Sequence, residues 1–392
     1  MGAPVRVCDP AAAAPARGRR SHRGLLGRSR LALTALLLLG LATAPAGRPA
    51  LPPGTPPSMV GFSFSPKTAV SENLDPQGAL RSLLSQLRPD LVRLPVYWDQ
   101  SQPWPGRLDF SQTDALLATV AAYNDASNQP PARVMLVVGA RNLGTPEAHV
   151  PAWAVAHEGL LRSLTRTAAY RRYLEGAFSH FAGNPLLYAW QVENEPLDNT
   201  NPWIGDVALP IGQLEQEIRH LRLIDRRHQI VVTTYNSATL SLDQIATSRF
   251  KQLWDLVPGP RPVGHPQVAL GLGDVLGLDA YVVTPATPLD QVSAQQRITW
   301  KSAALGYWSR QASQVGKELW ITEMQGAPWA GSSGFTMGDL LQSAVDYRTS
   351  GATVVLLWGV EQWLASPQWM WAGQRAMDVM RGTSPSPAEA LP

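Results

Sequence analysis

Hydrophobic and polar positions alternate between two patterns along most of the chain. From residue 59 to residue 382, short and almost unbroken apolar runs are separated by longer segments with helical periodicity. Such continuous runs are typical of strands that are covered on both faces. We predict eight strands from them, over residues 59–65, 91–96, 133–139, 187–193, 229–235, 275–282, 318–323 and 353–358.

The segments between these strands carry helix start and stop signals. Pro76 follows Asp75, Pro367 follows Ser366, and Gly382 comes after the last periodic residue, while residues 111–114 resemble a capping box. Eight consecutive βα units predict a single (β/α)8 TIM barrel over residues 59–382. An open doubly wound sheet is the competing architecture, but no glycine-rich phosphate loop follows the first strand. Residues 383–392 are predicted to be a flexible tail.

The first 46 residues predict an export signal. Seven arginines lie in residues 1–30, an apolar run covers 31–44, and small residues offer a cleavage site near Ala44 or Ala46. The run of about 14 residues is shorter than the roughly 20 that cross a bilayer, so an uncleaved anchor is the weaker alternative. The sequence leaves open whether Arg19 and Arg20 indicate the twin-arginine route. We expect a secreted, periplasmic or cell-envelope protein in which a Pro-rich linker, 47–58, precedes the barrel.

Removal of the signal changes the charge of the chain. Residues 1–46 hold seven of the 33 basic and one of the 30 acidic residues, so the remainder has a net charge of −3. With this net charge, the sequence does not indicate a basic patch that would bind nucleic acid. The one cysteine, Cys8, lies in the signal, so neither disulfides nor a thiolate are expected afterwards. We expect a monomer without a cofactor and without a stable membrane span.

Two glutamates end predicted strands. Glu195 follows the fourth strand in Asn194-Glu195-Pro196, where the proline stops the strand. Glu323 ends the seventh strand, 128 residues further along (323 minus 195). Both therefore lie at the C-terminal rim, where barrel enzymes carry their chemistry. Paired carboxylates in this place indicate glycosidic-bond chemistry.

With this motif pair the chain resembles the clan A glycoside hydrolases, a retaining group of TIM barrels, over essentially residues 59–382. The resemblance resolves no family. It implies that Glu195 is the general acid/base, that Glu323 is the nucleophile, and that Asn194 hydrogen-bonds the sugar. It further implies that Arg93 keeps the nucleophile ionised and that Tyr281 donates a hydrogen bond to it.

The implied reaction is a double displacement on an oligo- or polysaccharide with β-glycosidic bonds. In such enzymes the two carboxyl groups lie about 5–5.5 Å apart, against roughly 6.5–9.5 Å in inverting enzymes. Arg93 and Tyr281 would lower the pKa of Glu323, and the charge of Glu323 would raise the pKa of Glu195. Glu195 would therefore hold its proton for the first step.

Other residues near the rim are candidate substrate contacts. The resemblance implies that Trp358 lies beneath the reacting sugar, and aromatic faces pack against sugar rings. Glu193 points to the side of Glu195 if the strand continues, and we expect it to be a buried partner of Arg93, with substrate binding as the alternative. Glu361 is the alternative nucleophile. The remaining candidates are Trp98, Trp203, Trp329 and Asn236.

Two other functions compete with hydrolysis. A catalytically silent barrel that binds glycans or serves in the cell envelope would have the same pattern. A metal-dependent hydrolase needs histidine and aspartate clusters, and the seven histidines form no metal-spaced pair. The chain also lacks the histidines that several clan A families have near the ends of the third and fifth strands. The substrate therefore stays open.

Overall fold

A computed structural model describes residues 55–158, 165–198, 208–246, 248, 264–282, 292–328 and 334–383. The predicted export signal, the linker as far as residue 54 and the tail from residue 384 lie outside these ranges. Within the described ranges, no helix is long and apolar enough to span a membrane.

Eight parallel strands form a closed barrel in chain order, with β8 paired to β1. This confirms the predicted (β/α)8 fold. The strands differ from the predicted bounds by a few residues at their ends. They are β1 Met59–Ser63, β2 Leu91–Tyr97, β3 Arg133–Gly139, β4 Leu187–Val192, β5 Gln229–Tyr235, β6 Val275–Ala280, β7 Glu318–Gln325 and β8 Val354–Trp358.

Helices surround the barrel. In the described ranges they are α1 Pro66–Ser71, α2 Pro76–Leu87, α3 Trp98–Ser101, α4 Ser111–Ala126, α5 Ala152–Glu158, α6 Ala168–Phe181, α7 Ile211–Ile224, α8 Leu240–Ala246, α9 Pro266–Leu272, α10 Ala294–Gln314, α11 Met337–Tyr347 and α12 Pro367–Arg381. A 3-10 helix covers Val360–Ala365.

Local signals explain several helix ends. The side chain of Asp75 caps α2 and that of Ser366 caps α12, each next to a proline, and Gly382 ends α12 with a left-handed φ of 74°. The predicted capping box at 111–114 is wrong. Helix α4 begins at Ser111, whose backbone N–H is bound by the Asp109 carboxylate at 3.0 Å instead.

The barrel interior changes from apolar to polar toward the rim. The inward side chains nearer the N-terminal ends of the strands form one apolar cluster. Along a strand, every second side chain points to the same face of the sheet. The next inward positions therefore come two residues later, and there β2, β4 and β5 present Arg93, Gln191 and Thr233. The lower cluster is Leu91, Met135, Ala189, Val231, Val275, Trp320, Val354 and Leu356.

Candidate active site

Arg93 is the centre of the polar layer and is fully buried. Its guanidinium donates to four side chains: from Nη1 to Glu323 Oε1 at 2.7 Å and to Ser63 Oγ at 3.3 Å, from Nη2 to Asn194 Oδ1 at 2.5 Å, and from Nε to Gln191 Oε1 at 2.7 Å. One cation thus joins β2 to the ends of β4 and β7. The structure brings together Arg93, Asn194 and Glu323, as the resemblance implied.

Glu323 reaches the interior because β7 is irregular. The pairing of β6 with β7 passes from Leu278 with Ile321 to Asp279 with Glu323, which leaves Thr322 without an opposite residue. Strict alternation from inward Trp320 would turn Glu323 away from the barrel axis. The extra residue re-aims the side chain, as bulges commonly do next to active sites. Glu323 Oε2 then accepts a hydrogen bond from the Tyr281 hydroxyl.

Glu195 lies three residues beyond the end of β4, in a strained turn. Both Glu193 and Glu195 have left-handed backbone angles, with φ of 61° and 40°, and non-glycine residues adopt such angles mainly where the surroundings impose them. The backbone N–H of Glu195 is held at 2.9 Å by Thr233 Oγ1 on β5. This contact ties the turn that carries Glu195 to β5.

Burial is the main cause that raises the pKa of Glu195 well above its ordinary value. The charges of Glu147, Asp279, Asp198 and Glu323 raise it further, in that order. The charge of Glu323 therefore raises the pKa of Glu195, as expected from the sequence, but burial is the larger cause. A carboxyl that keeps its proton near neutral pH can act as a general acid.

Several buried polar atoms near the two glutamates have no hydrogen-bond partner in the described part of the protein. They are Oε1 of Glu195, Oδ2 of Asp279 and both amide atoms of Asn236. Buried polar groups are normally paired, so unpaired atoms in one region indicate ligand contacts. Asn194 adds a donor, because its Oδ1 is bound by Arg93 and Gln191 and its amide nitrogen stays available.

The predicted pairing of Glu193 with Arg93 is wrong. The strand stops at Val192, and the left-handed turn directs Glu193 away from the barrel axis. Its Oε2 accepts from the backbone N–H of Arg141 at 2.6 Å, and its Oε1 accepts from the Tyr170 hydroxyl. A Cβ on Gly139 would lie 2.3 Å from Oε2, so only glycine fits there. Gln191 takes the place beside Arg93 that was predicted for Glu193.

The buried Glu193 carboxyl has a pKa raised to about 7 from its ordinary 4.5, mainly through burial. Between about pH 4.5 and about pH 7, the folded state therefore binds more protons than the unfolded state. The free energy of unfolding accordingly falls as the pH rises through this range. Glutamine mimics the protonated form. We expect Glu193→Gln to match the wild type at pH 5 and to be more stable at pH 8, by on the order of 3 kcal/mol.

Urea unfolding of both proteins at pH 5 and pH 8 measures this difference. Buried carboxyls that do not interact with Glu193 are present in both proteins and cancel in the comparison, whereas Glu217, whose pKa the charge of Glu193 raises, does not cancel. A difference between wild type and variant that is the same at both pH values would contradict the assignment.

Arg93 should contribute strongly to stability as well. Removal of one partner from a buried ion pair typically costs about 3–5 kcal/mol, because the other charge stays buried without compensation. We expect Arg93→Met to lower the free energy of unfolding by about this amount. Arg93→Lys should lose less, since it keeps the charge but not the forked geometry. A loss below about 1 kcal/mol in the free energy of unfolding of Arg93→Met, measured in urea, would show that the contacts of Arg93 do not stabilise the fold.

The predicted aromatic contacts fall into different environments. Trp358 ends β8 and is half-buried at the rim. Trp98 is fully buried against Tyr170 and Tyr173, so the prediction that it contacts a sugar is corrected: its ring packs α3 against α6 instead. Trp203 and Trp329 lie outside the described residues.

A second polar cluster, which the sequence did not predict, lies at the ends of β1 and β2. Lys67 Nζ donates to Asp99 Oδ2 at 2.5 Å, contacts His149 Nδ1 at 2.8 Å and lies 4.5 Å from the centre of the Tyr97 ring. Burial, and then the charge of Lys67, lower the pKa of His149 to about 3. The ring is therefore neutral, Nδ1 accepts from Lys67 and Nε2 donates to the carbonyl of Leu143.

Glu361 is buried behind this cluster. Its Oε1 accepts from the backbone N–H of Ser65 at 2.6 Å, and burial raises its pKa to about 7. It makes no described contact with Arg93 or Tyr281, the two groups that bind Glu323. The geometry therefore favours Glu323 over Glu361 as the nucleophile.

The described residues contain no group of three or more His, Cys, Asp or Glu side chains placed to hold a metal ion. The chemistry that this arrangement supports directly is acid/base and nucleophilic catalysis by two carboxyl groups. Glu323 is bound by donors on both oxygens, and burial raises the pKa of Glu195 well above its ordinary value.

No protein-family model matches the chain, and no curated protein matches it. Solved structures do. A GH5_18 protein from Streptomyces cattleya, solved with Manβ1-4GlcNAc, is 16% identical, with 84% of this chain and 82% of that chain covered and a TM-score of 0.57. A GH5_18 protein from Bifidobacterium longum subsp. longum ATCC 55813, also with Manβ1-4GlcNAc, is 13% identical, with coverage of 85% and 79% and the same TM-score.

An exo-β-1,4-mannosidase from Opitutaceae bacterium strain TAV5 is 16% identical, with 88% of this chain and 64% of that chain covered and a TM-score of 0.51. The structural neighbours are thus glycoside hydrolases of the GH5 group, which belongs to clan A. At these identities the likeness establishes the fold.

Proposed function

We propose that the protein is an exported retaining glycoside hydrolase that cleaves β-glycosidic bonds. Glu323 attacks the anomeric carbon while Glu195 protonates the leaving oxygen, and a covalent glycosyl-enzyme forms. Water then attacks the same carbon as Glu195 takes its proton, and Glu323 is released as a carboxylate. The N-terminal segment, residues 1–46, directs export.

One observation carries this proposal: Glu323 is bound on both oxygens, by Arg93 and by Tyr281, beside a buried acid that has no partner for one of its oxygens. These two donors, on β2 and after β6, hold the Glu323 carboxyl group in a fixed orientation for attack. When the ester forms, the charge of Glu323 disappears. One of the charges that raise the pKa of Glu195 is then gone, and Glu195 can act as a base.

The substrate is expected to be an oligosaccharide or a larger glycan with a β-linked sugar. The amide groups of Asn194 and Asn236 and the free oxygen of Asp279 would bind sugar hydroxyls, and Trp358 would pack against a ring face. Two structural neighbours were solved with Manβ1-4GlcNAc and a third is a β-1,4-mannosidase. β-Mannosides are therefore the first substrates to test.

The test is a panel of 4-nitrophenyl β-glycosides, including mannoside, glucoside, galactoside and N-acetylglucosaminide, together with β-1,4-linked oligosaccharides. We expect hydrolysis of at least one substrate, with the β-anomer as the first product by NMR. Initial release of the α-anomer would overturn the retaining mechanism. Binding of oligosaccharides without hydrolysis anywhere in the panel would overturn enzymatic function and favour a silent glycan-binding barrel.

A further inference from the structure

Lys301 is a fully buried lysine in α10, outside the barrel wall. Lysine is almost never fully buried without a partner, because its cation loses its hydration. Its Nζ donates to the main-chain carbonyl of Asn236 and lies 4.8 Å from the centre of the Tyr235 ring. Both contacts are made to the end of β5.

The end of β5 touches the groups around both glutamates. Thr233 accepts from the backbone of Glu195, and the backbone N–H of Asn236 donates to the carbonyl of Asp279 at 3.1 Å. The Tyr235 ring stacks on Tyr281, with 6.1 Å between centroids and 15° between planes.

Tyr281 in turn donates to Glu323. A continuous series of contacts therefore runs from the buried cation through two stacked tyrosines to the carboxylate. Lys301 is thus linked to the nucleophile through Tyr235 and Tyr281.

We propose that Lys301 is a positioning residue for Glu323: from α10 it fixes the end of β5, so that Tyr235 holds the Tyr281 hydroxyl against the carboxylate. This proposal rests on the proposed function, because it assigns a role in the attack by Glu323. Burial is the largest influence on the pKa of Lys301 and lowers it to about 7, while the charge of Asp243 opposes this shift.

The test measures covalent inactivation by a 2-deoxy-2-fluoro glycoside with a dinitrophenolate leaving group, in the sugar configuration that the panel identifies. This reagent reports attack by the nucleophile and needs little acid catalysis. We expect Lys301→Met to slow inactivation about 10- to 100-fold, the scale of a small misplacement of a reacting group. Lys301→Arg should recover part of the rate, because it keeps a cation and a donor.

Lys317→Met is the matched control. Lys317 also donates to a main-chain carbonyl, that of Leu270 at 2.6 Å, but it precedes β7 at the end of the barrel away from the site. The control should inactivate at the wild-type rate. A folded Lys301→Met variant that inactivates as fast as the wild type would overturn the positioning role.

Tyr235→Leu keeps the proposal testable if Lys301→Met does not fold. It removes the ring between Lys301 and Tyr281, and we expect a similar loss of inactivation rate. Normal inactivation of a folded Tyr235→Leu protein would refute the proposed series of contacts. If no reagent in any configuration labels the wild-type protein, the proposed function fails, and the role of Lys301 fails with it.

Discussion

Glu323→Ala is expected to lower kcat by about 10⁴-fold or more on every substrate that the wild type cleaves, because the covalent route needs this carboxylate. Added azide should restore turnover of an activated aryl glycoside and give an α-glycosyl azide, since the small anion enters the space left by the side chain. Product analysis by NMR and turnover rates with and without azide measure the effect.

Glu361→Gln is the control for this prediction. It changes another buried carboxyl just beyond a strand end, and glutamine can still accept the hydrogen bond from Ser65. Its activity should stay close to that of the wild type. If Glu361→Gln loses activity and Glu323→Ala keeps it, the nucleophile has been assigned to the wrong residue.

Glu195→Ala is expected to show a loss that depends on the leaving group. For a poor leaving group, removal of the general acid should lower kcat/KM by about 10²- to 10⁴-fold. A dinitrophenyl glycoside needs no protonation, so its kcat/KM should change much less, while the glycosyl-enzyme accumulates because the base for the second step is missing. Azide should accelerate turnover and give a β-glycosyl azide.

The pH profile provides a second measure of Glu195. The wild type should lose kcat/KM on the alkaline side as Glu195 releases its proton, and burial places this loss at a pH well above the ordinary glutamate range. The Glu195→Ala variant should lack this alkaline limb. An unchanged alkaline limb in the variant, or an equal loss for good and poor leaving groups, would contradict its role as the acid.

The sequence was sufficient for the fold because the apolar runs are long, regular and separated by clear helix signals. It also placed Glu195 and Glu323 near the C-terminal ends of β4 and β7, although β4 ends at Val192, before the proline is reached. The positions of strands and helices follow the local hydrophobic periodicity of the chain, and few elements of the barrel depart from it.

The details of the site depend on exceptions that periodicity does not show. Alternation along β7 would turn Glu323 outward, and the bulge at Thr322 reverses this. Alternation along β4 would place Glu193 inward, and the left-handed turn moves it to Tyr170. Neither deviation has a glycine to mark it in the sequence.

Contacts between distant segments could not be predicted either. Gln191 was overlooked because a glutamine in a strand carries no motif, although it binds Arg93 and Asn194. His149 and Lys67 are 82 residues apart and meet only through the fold of the loop after β3. Trp98 was expected to be available to a sugar, but the packing of α6 against α3 buries it.

The central claim is that Glu323 is the covalent nucleophile, and peptide mapping of the inactivated protein tests it most directly. After labelling with the 2-deoxy-2-fluoro glycoside, digestion and mass spectrometry should find one fluoroglycosyl group, attached to Glu323. A label on Glu361, Glu195 or any other residue would contradict this account.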